Sequence, residues 1–194
     1  MTPQERLSQV EAIVIGTSAG GIEALSVVLP ALGKGLRVPV FVVQHLPREG
    51  PSLLAAIFSA KCRRPVLEAD DKMAIAPGTI YFAPPDYHML IDGGSLAMSA
   101  DEPVLYSRPS IDVLFESAAE AYGDRMAAVL LTGGNEDGSA GLQTVHRAGG
   151  VTIVQDPLDA QVPLMVEAAL RRTPADFVLP LGGIARLISA AVPQ

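Results

Sequence analysis

The chain has 194 residues, which is long enough for one sizeable hydrophobic core and short for two independent domains. Its 14 basic and 21 acidic residues give a formal charge of −7, which opposes broad affinity for nucleic acid or anionic lipid. No apolar run reaches the roughly 18 residues of a membrane-spanning helix, and residues 1–10 lack the apolar stretch of a secretory signal. We therefore expect one cytoplasmic domain without membrane insertion.

The first predicted strand ends in a serine framed by glycines. Residues 12–15 are continuously apolar, and the residues from Gly21 onward have the spacing of an amphipathic helix. Ser18 therefore lies in a strand-to-helix turn, where free backbone N–H groups of the helix stabilise negative charge. Gly16-x-Ser18-x-Gly20 also satisfies the nucleophile-elbow pattern, so Ser18 is a candidate nucleophile.

Two other interpretations of this turn remain open, a phosphate cradle and a plain tight turn. The turn is not a Walker loop, because no Gly-Lys-Ser/Thr follows Gly16 at the required distance. The spacing of Gly16, Gly20 and Gly21 also misses the dinucleotide fingerprint, and no acidic residue ends the next strand. A nucleotide-binding domain is therefore a weaker alternative than an esterase.

The rest of the chain alternates between predicted strands and helices. Further buried strands are predicted at residues 38–43, 65–67, 127–131, 151–154 and 177–179. Helices are predicted at residues 51–58, 139–148, 163–171 and 183–191. One further helix is predicted to follow residues 108–112 and to end at residue 121. This alternation predicts a parallel sheet covered by helices on both faces.

Residues 74–99 have a different character, because Pro-Gly, Pro-Pro and Gly-Gly pairs separate short runs of apolar residues. The runs lie at residues 79–82, 88–91 and 95–98. Turn residues at this density indicate an antiparallel hairpin insert.

Three chemically complementary residues follow predicted strands. Ser18 follows the first strand, His45 the second, and Asp137 the strand at 127–131. Ligands of open parallel sheets bind outside the carboxyl ends of the strands. A hydroxyl, an imidazole that takes its proton and a carboxylate that orients the imidazole would form a catalytic triad.

Each of these residues also has a structural interpretation. Ser18 suits a turn, His45 a hydrogen-bonded strand terminus, and Asp137 the N-cap of the helix behind it. The order Ser, His, Asp also differs from the order in α/β-hydrolases. The residues alone leave both interpretations open. The other histidines, His88 in a short strand and His146 within a helix, are expected to be structural.

Several motifs together resemble the catalytic domain of the chemotaxis protein-glutamate methylesterases, the CheB family. They are I-G-T-S-A-G-G at 15–21, V-Q-H-L-P at 43–47, R-P-S-I-D at 108–112, L-T-G at 131–133 and D-G-S-A-G at 137–141. The similarity runs from about residue 11 to 190, which predicts a single CheB-type domain over residues 1–194. The resemblance implies a doubly wound, mostly parallel α/β sheet with helices on both faces and a small antiparallel hairpin insert.

This resemblance implies a serine esterase that hydrolyses glutamate methyl esters on the cytoplasmic helices of chemoreceptors, releases methanol and deamidates certain glutamines. Carried over by motif, Ser18 is the nucleophile, His45 the general base and acid, and Asp137 the residue that orients His45. Catalysis would pass through an acyl-enzyme without a metal or cofactor. The alternative is a weak or inactive module of the same fold that binds a receptor or sensor kinase.

Two local features depart from the family pattern. Family members commonly have Gly-Met-Gly after Leu-Thr, where this chain has Gly133, Gly134 and Asn135, and the methionine position is associated with the oxyanion hole. A threonine frequent after the serine is Ala19 here. We expect Ala19, Gly134 and Asn135 to line the oxyanion site, where loss of one donor costs on the order of a hundredfold in rate.

The third departure concerns regulation. Chemotaxis methylesterases usually carry an N-terminal receiver domain that restrains the catalytic domain, and only a short segment precedes the first strand here. The resemblance therefore implies either an unregulated enzyme or control by a separate response-regulator or sensor-kinase chain. The expected substrate partner is a methylated chemoreceptor or a related signalling protein.

Overall fold

A computed structural model describes residues 1–33, 35–47 and 50–191, which form seven helices and nine strands. The helices are α1 (Pro3–Leu7), α2 (Gly21–Ala31), α3 (Leu54–Lys61), α4 (Ile111–Tyr122), α5 (Ser139–Arg147), α6 (Leu164–Arg172) and α7 (Leu181–Ala191). The strands are β1 (Ala12–Thr17), β2 (Val40–Gln44), β3 (Val66–Glu68), β4 (Ile80–Phe82), β5 (His88–Asp92), β6 (Ser95–Ser99), β7 (Met126–Leu130), β8 (Val151–Gln155) and β9 (Phe177–Leu179). Within these ranges, no helix combines the length and apolar character needed to cross a membrane.

Seven strands form one parallel sheet in the order β3-β4-β2-β1-β7-β8-β9. On one side β1 pairs with β2, placing Thr17 opposite Gln44, and on the other it pairs with β7, placing Gly16 opposite Leu130. The strand order therefore reverses between β1 and β7, where sheets of this type usually bind their ligands. Strands β5 and β6 form a separate antiparallel hairpin. The predicted fold class is confirmed.

Both faces of the parallel sheet are buried, and β1 shows how. Ile13 and Ile15 pack on the face covered by α1, α2, α3 and α7. Ala12 and Val14 pack on the opposite face, with α4, α5, α6 and the hairpin. Because side chains alternate along a strand, burial on both faces requires an uninterrupted apolar run. The strands can therefore be predicted from their apolar runs, without the alternation of polar and apolar residues that marks a strand with one exposed face.

The run at residues 79–82 was grouped with the hairpin insert, and this prediction is wrong. β4 instead lies in the parallel sheet, with Ile80 opposite Val40 of β2 and Val66 of β3. Among the strands of the described residues, β5 and β6 alone pair in antiparallel orientation. Pro-Gly and Pro-Pro mark the ends of β4 correctly, but turn residues do not determine which strands pair across the sheet.

Several helix starts also differ from the prediction, and α1 and α3 differ most. α3 begins at Leu54 rather than at residue 51, and the Ser52 hydroxyl accepts a 3.3 Å hydrogen bond from the Leu54 N–H. The short helix α1 was not predicted, although Thr2 and Glu5 form a capping box. Its five residues are too few to show helical periodicity.

Candidate active site

Ser18 lies in the turn between β1 and α2, at the carboxyl edge of the sheet. Its N–H donates to the Thr132 carbonyl at 3.0 Å, and its carbonyl accepts a 2.8 Å hydrogen bond from the Gly21 N–H. The side chain is half-buried, and its Oγ forms no hydrogen bond with any described residue. The backbone of the turn is therefore fixed while the hydroxyl remains accessible to a ligand.

Two glycines allow this turn to form. Gly20 has φ +77°, a left-handed conformation that glycine adopts without steric cost. A Cβ at Gly21 would lie 2.0 Å from Gln44 Oε1 and 2.6 Å from Thr17 Oγ1. Only glycine at position 21 therefore lets the start of α2 approach the end of β2 this closely.

Gln44 connects the Ser18 turn to the segment that carries His45. Its buried Nε2 donates to the carbonyl of Ser18 at 3.0 Å and to the carbonyl of His45 at 2.9 Å. The His45 N–H also donates to the Thr17 carbonyl at 3.1 Å. One side-chain amide thus holds the backbones of the candidate nucleophile and base in register. The sequence signal for this role is weak: a polar residue that ends an apolar strand beside a candidate base.

We expect Gln44→Leu to lower kcat for ester hydrolysis by about ten- to a hundredfold, because small errors in the alignment of reacting groups are costly. The KM for substrate should change less than kcat, since Gln44 holds backbone carbonyls and is buried. The matched control is Gln143→Leu, which removes a half-buried glutamine on α5 that donates to the Arg172 carbonyl. Equal kcat values in the two variants would contradict the positioning role of Gln44.

His45 and Asp137 come together at the reversal of strand order. His45 Nε2 lies 2.7 Å from Asp137 Oδ2, and the Asp137 side chain is fully buried. Because a carboxylate only accepts hydrogen bonds, Nε2 carries the proton and Nδ1 is left as the proton acceptor. In the serine-protease triad the carboxylate binds Nδ1. The two ring nitrogens have exchanged roles here.

The Asp137 carboxylate accepts three further hydrogen bonds. The donors are the Ser110 hydroxyl at 2.9 Å and the N–H groups of Ile111 at 2.7 Å and Asp112 at 3.0 Å. Burial alone would raise the pKa of Asp137, but the hydrogen bond and charge of His45, with the N–H donors of α4, leave that pKa below its ordinary value. Asp137 is therefore ionised and can stabilise a protonated His45.

The interpretation of Asp137 as the N-cap of the helix behind it is wrong. The N-cap of α5 is Gly138, and Asp137 instead binds the N-terminus of α4. In return, Asp112 of α4 accepts hydrogen bonds from the N–H groups of Gly138 at 2.9 Å and Gly141 at 2.7 Å. Asp137 thus lies at the N-terminus of α4 and Asp112 at the N-terminus of α5, and negative charge is favoured at both positions.

Asp112 is itself an unusual group that the sequence patterns did not identify. Its side chain is buried beside Asp137, and burial raises its pKa to about 6, with the charges of Asp137 and Glu116 adding to the effect. The N–H groups of Gly138 and Gly141 oppose this rise in pKa. Asp112 therefore holds the loop that carries Asp137, although its ionised form is destabilised by burial and by the neighbouring charge of Asp137.

The residues expected at the oxyanion site lie on two facing loops. Within the described part of the chain, the N–H groups of Ala19, Gly134 and Asn135 donate no hydrogen bond. The Thr132 hydroxyl donates to the Ala19 carbonyl at 2.9 Å, which ties the two loops together. Asn135 binds the Asp137 N–H at 3.1 Å and Ser107 Oγ at 3.3 Å, so its side chain is engaged in holding the loop.

His88 and His146 have different surroundings. His88 is buried, its Nδ1 accepts from the Ser110 N–H at 3.1 Å, and its Nε2 donates to the Glu102 carbonyl at 3.1 Å. His146 is exposed in the last turn of α5. The predicted structural role of His88 is confirmed, and through Ser110 it also supports Asp137. Across the described ranges, no histidine joins a group of three or more potential metal ligands.

Comparisons with known proteins agree with one another. The CheB methylesterase family model matches residues 13–188. A putative protein-glutamate methylesterase/protein-glutamine glutaminase of Leptospira interrogans is 44% identical over 178 residues, which cover 91% of this chain and 92% of that protein. Protein-glutamate methylesterase/protein-glutamine glutaminase 1 of Carboxydothermus hydrogenoformans is 38% identical, with 94% of this chain aligned to 55% of that protein.

A solved structure has the same fold. The crystal structure of the Thermotoga maritima CheB methylesterase catalytic domain superposes with a TM-score of 0.85 at 33% identity, covering 92% of this chain and 97% of that one. The similarity in sequence and in three dimensions therefore extends over nearly the whole chain.

Proposed function

This chain belongs to the CheB methylesterase family, and on that basis we propose that it hydrolyses glutamate γ-methyl esters on a methylated chemoreceptor or related signalling protein. We propose that it also deamidates receptor glutamines, and that it acts in the cytoplasm as one catalytic domain spanning residues 1–194. The observation that carries the proposal is the 2.7 Å hydrogen bond between His45 and the buried Asp137, at the sheet edge where the Ser18 turn lies.

In the proposed acylation step, Ser18 Oγ attacks the ester carbonyl carbon while His45 Nδ1 takes the hydroxyl proton. Asp137 keeps the other proton on Nε2 and stabilises the imidazolium that forms. The N–H groups of Ala19 and Gly134 stabilise the oxyanion of the tetrahedral intermediate. His45 then returns its proton to the leaving oxygen, and methanol departs from the acyl-enzyme.

Deacylation repeats these steps with water as the nucleophile. His45 takes a proton from water, the hydroxide oxygen attacks the acyl carbon, and Ser18 leaves after regaining its proton from the imidazolium. The product is a glutamate carboxylate. For a glutamine substrate, ammonia leaves in the first half of the reaction and the second half is identical.

The inactive binding module is not favoured. The altered loop at residues 133–135 suggests it, but an oxyanion donor is a backbone N–H, which every residue except proline provides. The N–H groups of Gly134 and Asn135 have no acceptor among the residues described. The substitutions therefore leave the proposed chemistry intact.

Methanol release from a methylated chemoreceptor cytoplasmic fragment, together with labelling by a fluorophosphonate, tests the proposal. The active enzyme should release methanol and acquire one phosphonate adduct at Ser18, identified by mass spectrometry. The label should be lost in Ser18→Ala. A protein that neither releases methanol nor reacts at Ser18 would exclude the proposed mechanism.

A further inference from the structure

Large apolar side chains that face solvent concentrate at the carboxyl edge of the parallel sheet. In the described residues eleven such side chains are exposed, and seven lie in segments that follow strand ends or begin the next helix at this edge. The most exposed of the seven are Tyr106 at 98%, Leu158 at 96% and Leu53 at 65%. Grouped exposed apolar residues usually mark an interaction surface. Tyr106 shares a cavity with the candidate base His45.

Tyr106 is held in an energetically unfavourable backbone conformation. Leu105 and Tyr106 have φ values of +47° and +66°, which residues with side chains rarely adopt. The two residues form a tight turn closed by reciprocal hydrogen bonds between Val104 and Ser107, at 3.1 and 2.8 Å. Such turns favour Asn or Gly. Strain of this kind clusters at ligand clamps and active sites.

The turn that carries Tyr106 is rigidly attached beside the candidate base. Arg108 binds Asp86 Oδ1 at 2.7 Å and the carbonyls of Ala100 and Asp101 at 2.8 and 3.0 Å. Asn135 of the neighbouring loop reaches Ser107 Oγ. A small cavity of about 70 Å³ is lined by both His45 and Tyr106.

An apolar groove of about 270 Å³ continues on the other side of His45. Its lining includes Ile22, Leu46, Leu53 and Pro85, and Leu46 also lines the cavity that contains Tyr106. Leu46 therefore connects the apolar groove that contains Leu53 to the cavity that contains His45 and Tyr106. We name Leu53, Leu105 and Tyr106 the apolar rim.

We propose that the apolar rim docks the polypeptide segment that carries the glutamyl ester, with Tyr106 as its principal anchor. This inference rests on the proposed function, since an ester on a protein side chain brings its own backbone and neighbouring side chains to this edge. The rim is continuous with the candidate site, which favours the substrate segment over a second copy of this chain. An aromatic ring carried on a hydrogen-bonded turn buries a large area at low entropic cost, as interface anchors do.

The test compares two substrates, a methylated chemoreceptor cytoplasmic fragment and N-acetylglutamate γ-methyl ester. In Tyr106→Asn, the ratio of kcat/KM for the receptor fragment to kcat/KM for the small ester should fall about tenfold or more, mainly through the KM for the receptor. The thermal midpoint should not fall, because asparagine suits the left-handed backbone. Tyr106→Phe should keep the wild-type ratio, and Leu53→Ser should lower it.

Val178→Ser is the matched control, because Val178 is 43% exposed on β9, the strand at one edge of the sheet, and lies outside the apolar rim. Its substrate ratio should equal that of the wild type. An unchanged ratio in Tyr106→Asn overturns the docking proposal, as does an equal loss on both substrates. A change in self-association by sedimentation velocity, with an unchanged ratio, assigns the rim to a second copy. Wild-type protein inactive on both substrates overturns the proposed function as well.

Discussion

Ser18→Ala is expected to reduce methanol release from methylated receptor by three orders of magnitude or more, because triad members act as a unit and removal of one disables the others. The fold should be unaffected. The hydrogen bonds that fix the Ser18 turn use its backbone N–H and carbonyl, and its Oγ has no hydrogen-bond partner among the described residues. Alanine can keep all of the backbone contacts.

Ser26→Ala provides the control for this substitution. Ser26 lies on α2, and its hydroxyl donates to the Ile22 carbonyl at 2.7 Å and accepts from Lys61 Nζ at 2.8 Å, so it contacts none of the candidate site residues. Its activity and thermal midpoint should remain close to those of the wild type. The same methanol assay, with thermal unfolding of both variants, separates a chemical effect from loss of structure. Wild-type activity in Ser18→Ala would refute the assignment of the nucleophile.

The parts of the fold that depend on local pattern were predictable from the sequence. Burial on both faces produces the apolar runs of β1, β2 and β7, and glycine at position 20 marks the turn after β1. Ser18, His45 and Asp137 could be nominated because each follows such a run. These three residues could be predicted to lie together because the carboxyl ends of parallel strands meet at the same edge of the sheet.

Features that depend on distant pairing were not predictable in this way. The placement of β4 between β3 and β2 is decided by contacts with residues far away in the sequence. Asp137 stabilises the N-terminus of α4 rather than that of the adjacent α5, and Asp112 does the reverse, across about 26 residues of chain. Local capping rules assign a carboxylate to the helix that follows it in the sequence. They therefore miss a carboxylate that binds the N-terminus of a helix distant in the sequence.

The paired substitutions Asp137→Asn and Asp112→Asn are expected to have opposite effects on stability. Asp137 uses both oxygens, Oδ1 for Ser110 and Asp112 and Oδ2 for His45 and Ile111. An asparagine NH₂ in either position faces an N–H donor and leaves it unpaired, at about 1–3 kcal/mol. We expect a lower thermal midpoint at neutral pH and an activity loss on the order of 10³ to 10⁴, because His45 loses the charge that stabilises its protonated form.

Asp112→Asn keeps the two contacts of Asp112, because a single oxygen, Oδ1, accepts from both Gly138 and Gly141. Asparagine can present its oxygen there while removing a buried charge. We therefore expect an equal or higher thermal midpoint at pH 8 and activity within about tenfold of wild type. A large loss of stability at pH 8 would show that the Asp112 charge is needed in the fold.

The pH dependence of stability distinguishes the two carboxylates. The fold raises the pKa of Asp112 from 3.8 to about 6, so wild-type stability falls as the pH rises through this interval, by at most about 3 kcal/mol. The advantage of Asp112→Asn should therefore appear above about pH 6 and vanish near pH 4. The pKa of Asp137 is lowered, so its contribution is present at neutral pH and is lost on acidification. Urea unfolding of both variants from about pH 4 to 8 measures these trends, and parallel profiles would contradict the opposite charge environments of the two residues.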